Sequence, residues 1–550
     1  MTTPNGGDLL VRTLRSLGVD TVFGIVSVHN LPLVEAVDRD LRFVPVRHEA
    51  TAVSAADAYG RARGGIGCAL TSTGTGAGNA AGSLIEALSA GTAVLHITGQ
   101  IDSAHLGRGR GFIHETKDQL GMLRAVSKHA ATVTSAEQAG EVLRTAAVQA
   151  LAAPAGPASV EWPIDLQYAA QDLGPDTLPA PPAAPRAAEA ELERAAELLA
   201  AARRPLVWAG GGATHAGDEV AALLEQINAG LLTSNSGRGT VPEDQHRVIG
   251  NFAMSPAGRA VLAEADLLLT LGTHFRSNET GDYSLRLPAT HLQIDIDEAA
   301  LGRVYPAGTA LHGDTAETLA ALAPRVARRR AELGVTADAA WTERVRAARE
   351  EARAALYDSI GPQAAVCDAI RDALAGRGVV ARDVTIASSS WGNRLLPVLD
   401  PRDNVFPRGG GIGQGLGMGI GAALARPQQP AVVMAGDGGL AVHLGELLTL
   451  AQEKPRLTVV VFNDGGYGVL RNMQDRYFDR RSGVDLATPD FAALARACGL
   501  PFARIADAAD AAGTIRDAVD SDGPTLVEVD LASLGPMKTP FTPPVTIPGQ

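Results

Sequence analysis

Hydrophobic positions fall along this chain in two rhythms. Short, nearly unbroken apolar runs, such as 431–435 (AVVMA) and 457–462 (LTVVVF), read as parallel strands buried on both faces. Between those two runs, apolar residues return at helical spacing over about 442–453. The same alternation is present from the start. It predicts strands at 21–26, 43–46, 66–71 and 93–98, and helices at 31–38, 51–63 and 80–88. The Pro- and Ala-rich stretch 173–185 predicts a linker. Beyond it come a helix at 189–202 and strands at 205–209, 267–271 and 292–296, the first running into Gly210-Gly211-Gly212. The charged, Ala-rich stretch 325–353 predicts a solvated linker helix. From about 361 a third unit begins, with a strand at 379–381, the polar turn Ser388-Ser389-Ser390-Trp391 and a glycine run at 409–421. The expected fold class is α/β, with three doubly wound parallel-sheet domains at 1–172, 187–332 and 358–535 and an irregular Pro-rich tail at 536–550. The first and third units are expected to be copies of one architecture, because each sends a Gly-rich segment into a helix of small residues.

Length agrees with that division, since 550 residues at roughly 150 per domain give three or four. The net charge of −13 excludes nucleic acid as the main partner. Three cysteines without ligand spacing exclude a disulfide scaffold and a zinc site. Two long uncharged stretches, 64–85 and 409–425, are too rich in glycine to be membrane spans. No basic segment followed by an apolar one opens the chain, so a cytoplasmic protein is expected.

Candidate chemistry sits at the ends of the two strands first named. Each runs into a glycine-rich turn with a carboxylate, GDGG at 436–439 and NDGGYG at 463–468. In open α/β sheets the carboxyl ends of strands are where ligands bind. An aspartate between glycines lets backbone approach a phosphate while its carboxylate holds a hard cation such as Mg²⁺. Glu49 stands where a strand hands over to an Ala-rich helix, among small residues that permit tight packing.

Taken in order, these segments resemble the thiamine-diphosphate enzymes of the acetolactate synthase, benzoylformate decarboxylase and pyruvate decarboxylase superfamily. The resemblance rests on GDG at 436–438, NDGGYG at 463–468, Arg47-His48-Glu49-Ala50 and SxGxGxGN at 72–79. Gly237-Arg238-Gly239, ADLLLTLG at 265–272 and HLQIDIDE at 291–298 are similar to the middle domain of acetolactate synthases. It covers nearly the whole chain, from about 8 to 532, and implies a pyrimidine-binding, a central and a diphosphate-binding domain.

The resemblance also implies roles. Asp437, Asp464 and the carbonyl of Gly466 would hold Mg²⁺. Gly436, Gly438, Gly439, Tyr467, Gly468, Ser388 and Asn79 would line thiamine diphosphate. Ile412 would wedge the cofactor into its bent shape, with Leu416 the competing candidate, and the carbonyl of Gly410 would accept from its 4′-amino group. Glu49 would share a proton with N1′ of the pyrimidine, favouring the imino form that removes the C2 proton. His29, Gln100 and His114 would face the reaction centre, and Lys128 matches an acetolactate-synthase position. The implied reaction is decarboxylation of a 2-oxo acid, carboligation to an aldehyde or ketone acceptor, or both. The implied assembly is a homodimer or homotetramer with the site at a subunit interface, without nucleic acid or membrane.

Several positions depart from the family pattern. Val26-Ser27 replaces Pro-Gly, and Asp464 replaces Asn. Met473 stands for the Trp that selects substrates in acetohydroxyacid synthases, and Leu470 for the Glu of pyruvate decarboxylases. Asn278 stands for an Arg that supports flavin, which makes FAD doubtful. The alternative reading on the same scaffold is a flavin-dependent 2-oxo acid oxidase, or a lyase of the 2-hydroxyacyl-CoA or oxalyl-CoA type.

Overall fold

Eighteen strands of the computed structural model, which describes residues 3–174 and 177–543, form three six-stranded sheets in which every pairing is parallel. The N-terminal sheet holds β1 (Thr21–Gly24), β2 (Arg42–Pro45), β3 (Gly67–Thr71), β4 (Val94–Gln100), β5 (His129–Thr132) and β6 (Pro157–Pro163). The central sheet holds β7 (Pro205–Ala209), β8 (Gly230–Thr233), β9 (Val248–Gly250), β10 (Leu267–Leu271), β11 (His291–Asp295) and β12 (Thr309–His312). The C-terminal sheet holds β13 (Val379–Arg382), β14 (Asn404–Val405), β15 (Ala431–Gly436), β16 (Leu457–Asn463), β17 (Phe502–Ile505) and β18 (Thr525–Asp530). The inner strands read as solid apolar runs because helices cover both faces, and every residue of β4, β10 and β15 is buried.

The outer sheets share one strand order. It is β2-β1-β3-β4-β6-β5 in the first and β14-β13-β15-β16-β18-β17 in the third, which is the same order once each sheet is counted from its own first strand. The central sheet differs, running β12-β11-β10-β7-β8-β9, the order of a dinucleotide fold. The two outer domains meet through helices Glu49–Arg63 and Gly415–Ala425. Small residues make that contact possible. A Cβ at Gly421 would lie 2.0 Å from the carbonyl oxygen of Ala55, and one at Gly417 would lie 2.5 Å from Ser54 Oγ.

Three expectations need correction. The helix expected at 80–88 begins earlier, at Thr75 inside the Gly-rich segment, and runs to Ala90. The helix expected at 442–453 begins later, at Glu446, and a separate short helix, Asp437–Val442, precedes it. The chain breaks at His443, whose ring Nδ1 lies 2.8 Å from the carbonyl of Gly413. The charged stretch 325–353 is divided between helices Thr315–Leu333 and Ala339–Ser359, and the second is no solvated rod. It buries Trp341, Val345, Ala348 and Ala352, and Trp341 Nε1 donates to the Pro205 carbonyl at 3.1 Å. Gly210-Gly211-Gly212, after β7, serves packing. A Cβ on Gly210 or Gly212 would strike the backbone of Gly272 at the end of β10. In the expected linker, the described residues 173–174 and 177–185 are irregular, and 175–176 lie outside the described residues. Of the tail, 536–543 is irregular and 544–550 lies outside the described residues. Among the described residues no helix is long and apolar enough to cross a membrane.

Candidate active site

The turn after β15 places Asp437 at the start of helix Asp437–Val442, almost wholly buried. The turn after β16 brings Asp464 beside it. Asp437 Oδ2 and Asp464 Oδ1 are both buried, and neither has a hydrogen-bond partner. Burial raises the Asp437 carboxyl above its ordinary range, while the backbone amides of Asp464, Gly438 and Gly466 oppose the rise. Burial, and then the charge of Asp437, push Asp464 up to about 6. The nearest cation is Arg471, whose guanidinium is 3.7 Å from Asp464 Oδ1 and is otherwise used to brace the turn. It donates to the carbonyls of Asp464 and Gly465 and to Asp485 Oδ1 at 2.8–3.2 Å. Two buried, unpartnered carboxylate oxygens on adjacent turns are donors suited to a cation. A divalent ion of Mg²⁺ type fits these donors, completed by backbone and bound-ligand oxygens. Among the described residues no three His, Cys, Asp or Glu side chains cluster as a metal site on their own.

The glycines of these turns are fixed by contact. A Cβ at Gly438 would lie 2.8 Å from the Tyr467 ring, and one at Gly468 would lie 1.9 Å from Asp464 Oδ2. Gly466, at φ +150°, would push a Cβ into the Val484 carbonyl. The strap 484–486 pairs with this turn through Tyr467 N to Val484 O and Leu486 N to Gly465 O. Gly436 and Gly439 back onto Thr385 and the Asp383 carboxylate, and Ser388 Oγ donates to the Met434 carbonyl at 3.3 Å.

The glycine loop before helix Gly415–Ala425 carries Gly410 and Ile412. Gly410 is left-handed at φ +92° with open space where a Cβ would be, and Ile412 is 40% exposed. Leu416 is sealed in the core at 2%, so of the two wedge candidates only Ile412 reaches the surface of the loop. Asp383 holds this loop from below, accepting from Gly413 N and Gly415 N at 3.0–3.1 Å.

In the N-terminal domain, Glu49 is the first residue of its helix and is nearly buried. Its Oε2 accepts from Asn79 Nδ2 at 3.0 Å, and its Oε1 would lie 2.8 Å from a Cβ on Gly76. His29 is buried, and its ring sits edge-on to that of His114 at 5.2 Å. Both ring nitrogens of His29 and Nδ1 of His114 are without hydrogen-bond partners. Burial and the neighbouring His114 hold the His29 pKa below its ordinary value, with the Ile113 backbone opposing. His114 is left-handed at φ +66°, and its carbonyl closes on Gly74.

Gln100 and Lys128 are hydrogen-bonded within the N-terminal domain, and Thr73 Oγ1, next to Gly74, donates to Gln100 Oε1 at 3.4 Å. Gln100 Nε2 donates to Glu161 Oε2 at 3.1 Å, and its Oε1 accepts from the Ile101 amide at 2.8 Å. Lys128 Nζ donates to the carbonyls of Gln149 and Ala152 at 2.6 Å. The predicted residues thus gather into two half-sites. One contains Glu49, Asn79, His29 and His114. The other contains Gly410, Ile412, Asp437, Asp464, Gly466 and Tyr467. Among the described residues no hydrogen bond joins Glu49 to the second group. Sequence reasoning missed Asp383. An Asp directly after a β-strand was its one available signal.

A cavity of about 1030 Å³ lies away from both half-sites, between the central domain and its neighbours, bordered by Gly211, His274, Arg276, Asp297 and Arg408.

Comparison with known proteins matches three domains of one family along the chain. The N-terminal TPP binding domain of thiamine pyrophosphate enzymes matches residues 4–122, the central domain 192–322 and the C-terminal TPP binding domain 386–529. A probable 2-ketoarginine decarboxylase of Pseudomonas aeruginosa is 35% identical, covering 96% of this chain and 94% of its own length. Acetolactate synthase isozyme 2 large subunit of Escherichia coli is 30% identical over 98% of each chain. The acetolactate synthase large subunit of Parasynechococcus marenigrum is 30% identical, covering 98% of this chain and 90% of its own. With all three domains matched in order around paired half-sites of this chemistry, the chain belongs to the thiamine pyrophosphate enzyme family and is a thiamine-diphosphate-dependent enzyme.

Proposed function

We propose that the protein decarboxylates a 2-oxo acid, with thiamine diphosphate anchored through Mg²⁺ at Asp437, Asp464 and the Gly466 carbonyl. The observation that carries this reading is the pair of orphaned, buried oxygens on Asp437 and Asp464, set at the glycine turns where a diphosphate would lie. When bound, the cofactor supplies a carbanion and electron sink for loss of CO₂. The chain's own residues do the rest. Glu49, held by Asn79, would exchange a proton with the pyrimidine ring of the bound cofactor. The carbonyl of Gly410 would accept from its amino group, and Ile412 would support its ring. His29, whose pKa is held below its ordinary value by burial and by His114, would be suited to accept a proton from a substrate or bound water at this site. Gly436, Gly438, Gly439, Tyr467 and Gly468 shape the diphosphate pocket around the metal.

Glu49 and the metal turn lie in different half-sites, and large apolar side chains border both, including exposed Val26, Val28, Ile113, Leu470 and Phe478. This supports a homodimer, alone or within a tetramer, whose sites each take Glu49 from one subunit and the metal turn from the other. Identity to two acetolactate synthases supports a second outcome, carboligation to an aldehyde or ketone. The flavin-dependent oxidase and acyl-CoA lyase readings are not favoured. Asn278 stands where the family's flavin-supporting Arg would be, and the neighbouring Arg276 is occupied with the Ser89 and Arg408 carbonyls. The test is incubation of the purified protein with Mg²⁺, thiamine diphosphate and a panel of 2-oxo acids, with and without aldehydes. CO₂ release that requires both cofactors is expected. Bound cofactor without CO₂ release from any acid would overturn the reading.

A further inference from the structure

Glu86 lies near the C-terminal end of helix Thr75–Ala90, where a glutamate ordinarily faces water. Here it is 5% exposed. Its carboxylate reaches out of the N-terminal domain into the C-terminal one. Oε2 accepts from the amide of Gly409, and Oε1 accepts from the amide of Gly411 at 2.7 Å. The fit leaves no slack, since a Cβ on Gly409 or on Gly411 would lie 2.7–2.8 Å from the nearer Glu86 oxygen. Between the two held amides is Gly410. No hydrogen bond reaches its carbonyl among the described residues.

The grip continues along the loop. Asp383 accepts from Gly413 N and Gly415 N, so the amides of 409, 411, 413 and 415 are all bound to one of two buried carboxylates. The intervening Gly410 and Ile412 have neither amide held in this way. The helix that carries Glu86 is itself pinned at its C-terminal end. Arg276 of the central domain donates to the Ser89 carbonyl at 2.7 Å, and Arg408 donates to the Ala90 carbonyl at 3.0 Å. Cations at the last carbonyls of a helix are favourable in their own right. All three domains thus meet where Glu86 sits. Two turns earlier, the same helix bears Asn79, which holds Glu49.

We infer that Glu86 is a positioning residue for the cofactor: a carboxylate clamp that aims the Gly410 carbonyl and sets Ile412 from a domain that contributes neither. The inference rests on the proposed roles of Gly410 and Ile412. A carboxylate is required because two N–H donors converge on two separate oxygens, and hydrogen bonds to an ionised acceptor are the stronger kind. A glutamine of the same shape has one acceptor oxygen and turns its NH₂ group against the second amide. The loop then loses one anchor and Gly410 loses its aim.

The test uses the full-length protein with Mg²⁺ and thiamine diphosphate. Glu86→Gln is compared with wild type by thermal melting without cofactor, cofactor affinity by calorimetry, and hydrogen–deuterium exchange at C2 of the bound cofactor at saturation. Expected are a melting temperature within a few degrees of wild type and C2 exchange slowed at least about tenfold. Gly411→Ala, which keeps the carboxylate but displaces it, is expected to slow exchange in the same way, and this second route does not depend on Glu86→Gln folding. Wild-type exchange rates at saturation in either folded variant would overturn the clamp. Glu49→Gln serves as the reference for the underlying reading. If it slows exchange while the clamp variants do not, the clamp alone fails. If wild type itself binds no cofactor, the proposed function fails and the clamp with it.

Discussion

Asp464 stands where relatives of this chain usually have Asn, and the substitution changes what the site needs. The buried Asp437 carboxylate and the half-buried Asp464 carboxylate now repel each other, and Arg471 is too far from Asp464 Oδ1 to hydrogen-bond with it. A divalent cation relieves this pair directly, so Mg²⁺ without thiamine diphosphate is expected to stabilise the protein. At a concentration 100 times its Kd, the gain is about 2.7 kcal/mol. Asp464→Asn removes the repulsion, and its melting temperature is expected to respond much less to Mg²⁺ alone. Scanning fluorimetry of both proteins with and without Mg²⁺ checks this, and an equal response would count against Asp464 as a ligand. The pair was legible in the sequence because both aspartates sit in glycine-rich turns at strand ends, 27 residues apart. Glu86 and Asp383 were not. Their partners are backbone amides distant in sequence, 323 and 30 residues away, and a backbone amide carries no residue identity to read. Gln100 shows the converse. Its position at the end of β4 was readable, yet the direction of its carboxamide depends on Glu161, two strands later in the chain.

At the scale of elements, the strands were readable because parallel strands under two layers of helix are continuously apolar. Helix starts were less so. Helix Thr75–Ala90 begins inside a run of Gly, Ser and Thr that reads as loop, because tertiary packing against helix Glu49–Arg63 outweighs weak local propensity. Glycine content carries the same lesson in both directions. Gly421 is needed for the contact between the two outer domains, so Gly421→Ala must force the helices apart and is expected to cost about 1–3 kcal/mol. Gly513 lies within helix Ala511–Val519 with nothing within 4 Å of its Cβ position, so Gly513→Ala is expected to stabilise by about 0.5–1 kcal/mol. Urea melts of the two variants should move in opposite directions.

Strand β4 also carries an acid sensitivity. His96 is fully buried between Thr71 Oγ1 at 2.9 Å and Ser159 Oγ at 3.0 Å, and burial lowers its pKa to about 4. A neutral imidazole satisfies both hydroxyls, one ring nitrogen donating and the other accepting. The folded state therefore disfavours the charged form. Its contribution is complete above the unfolded pKa of about 6.5 and is lost as pH falls from there toward 4. The separation corresponds to about 3 kcal/mol. His96→Gln is expected to flatten the stability curve between pH 6.5 and 4, and denaturant midpoints across that range would show it.

At the scale of the whole molecule, the repeated strand order of the outer domains and the division of the site belong to one design. In the proposed site each outer sheet would contribute one half, at the carboxyl ends of its strands. Within one chain the outer domains are locked by the Gly-on-Ala helix contact, by Glu86 and by the Arg47 amide donating to Glu446 at 3.0 Å. If the proposed dimer is correct, each chain serves two sites, giving Glu49 to one and Asp437 to the other. This arrangement predicts complementation. Glu49→Gln and Asp437→Asn are each expected to be nearly inactive as homodimers. In a mixed dimer, one site receives both substitutions and the other receives neither. Co-expressed in equal amounts with random pairing, half of the dimers are mixed and half of their sites are intact, so activity should return to about a quarter of wild type, as a two-fold interface requires. Separately tagged chains purified through both tags contain only mixed dimers and should reach about half. A site built within one chain gives a different outcome, because every chain then carries a defective site and no mixture recovers activity.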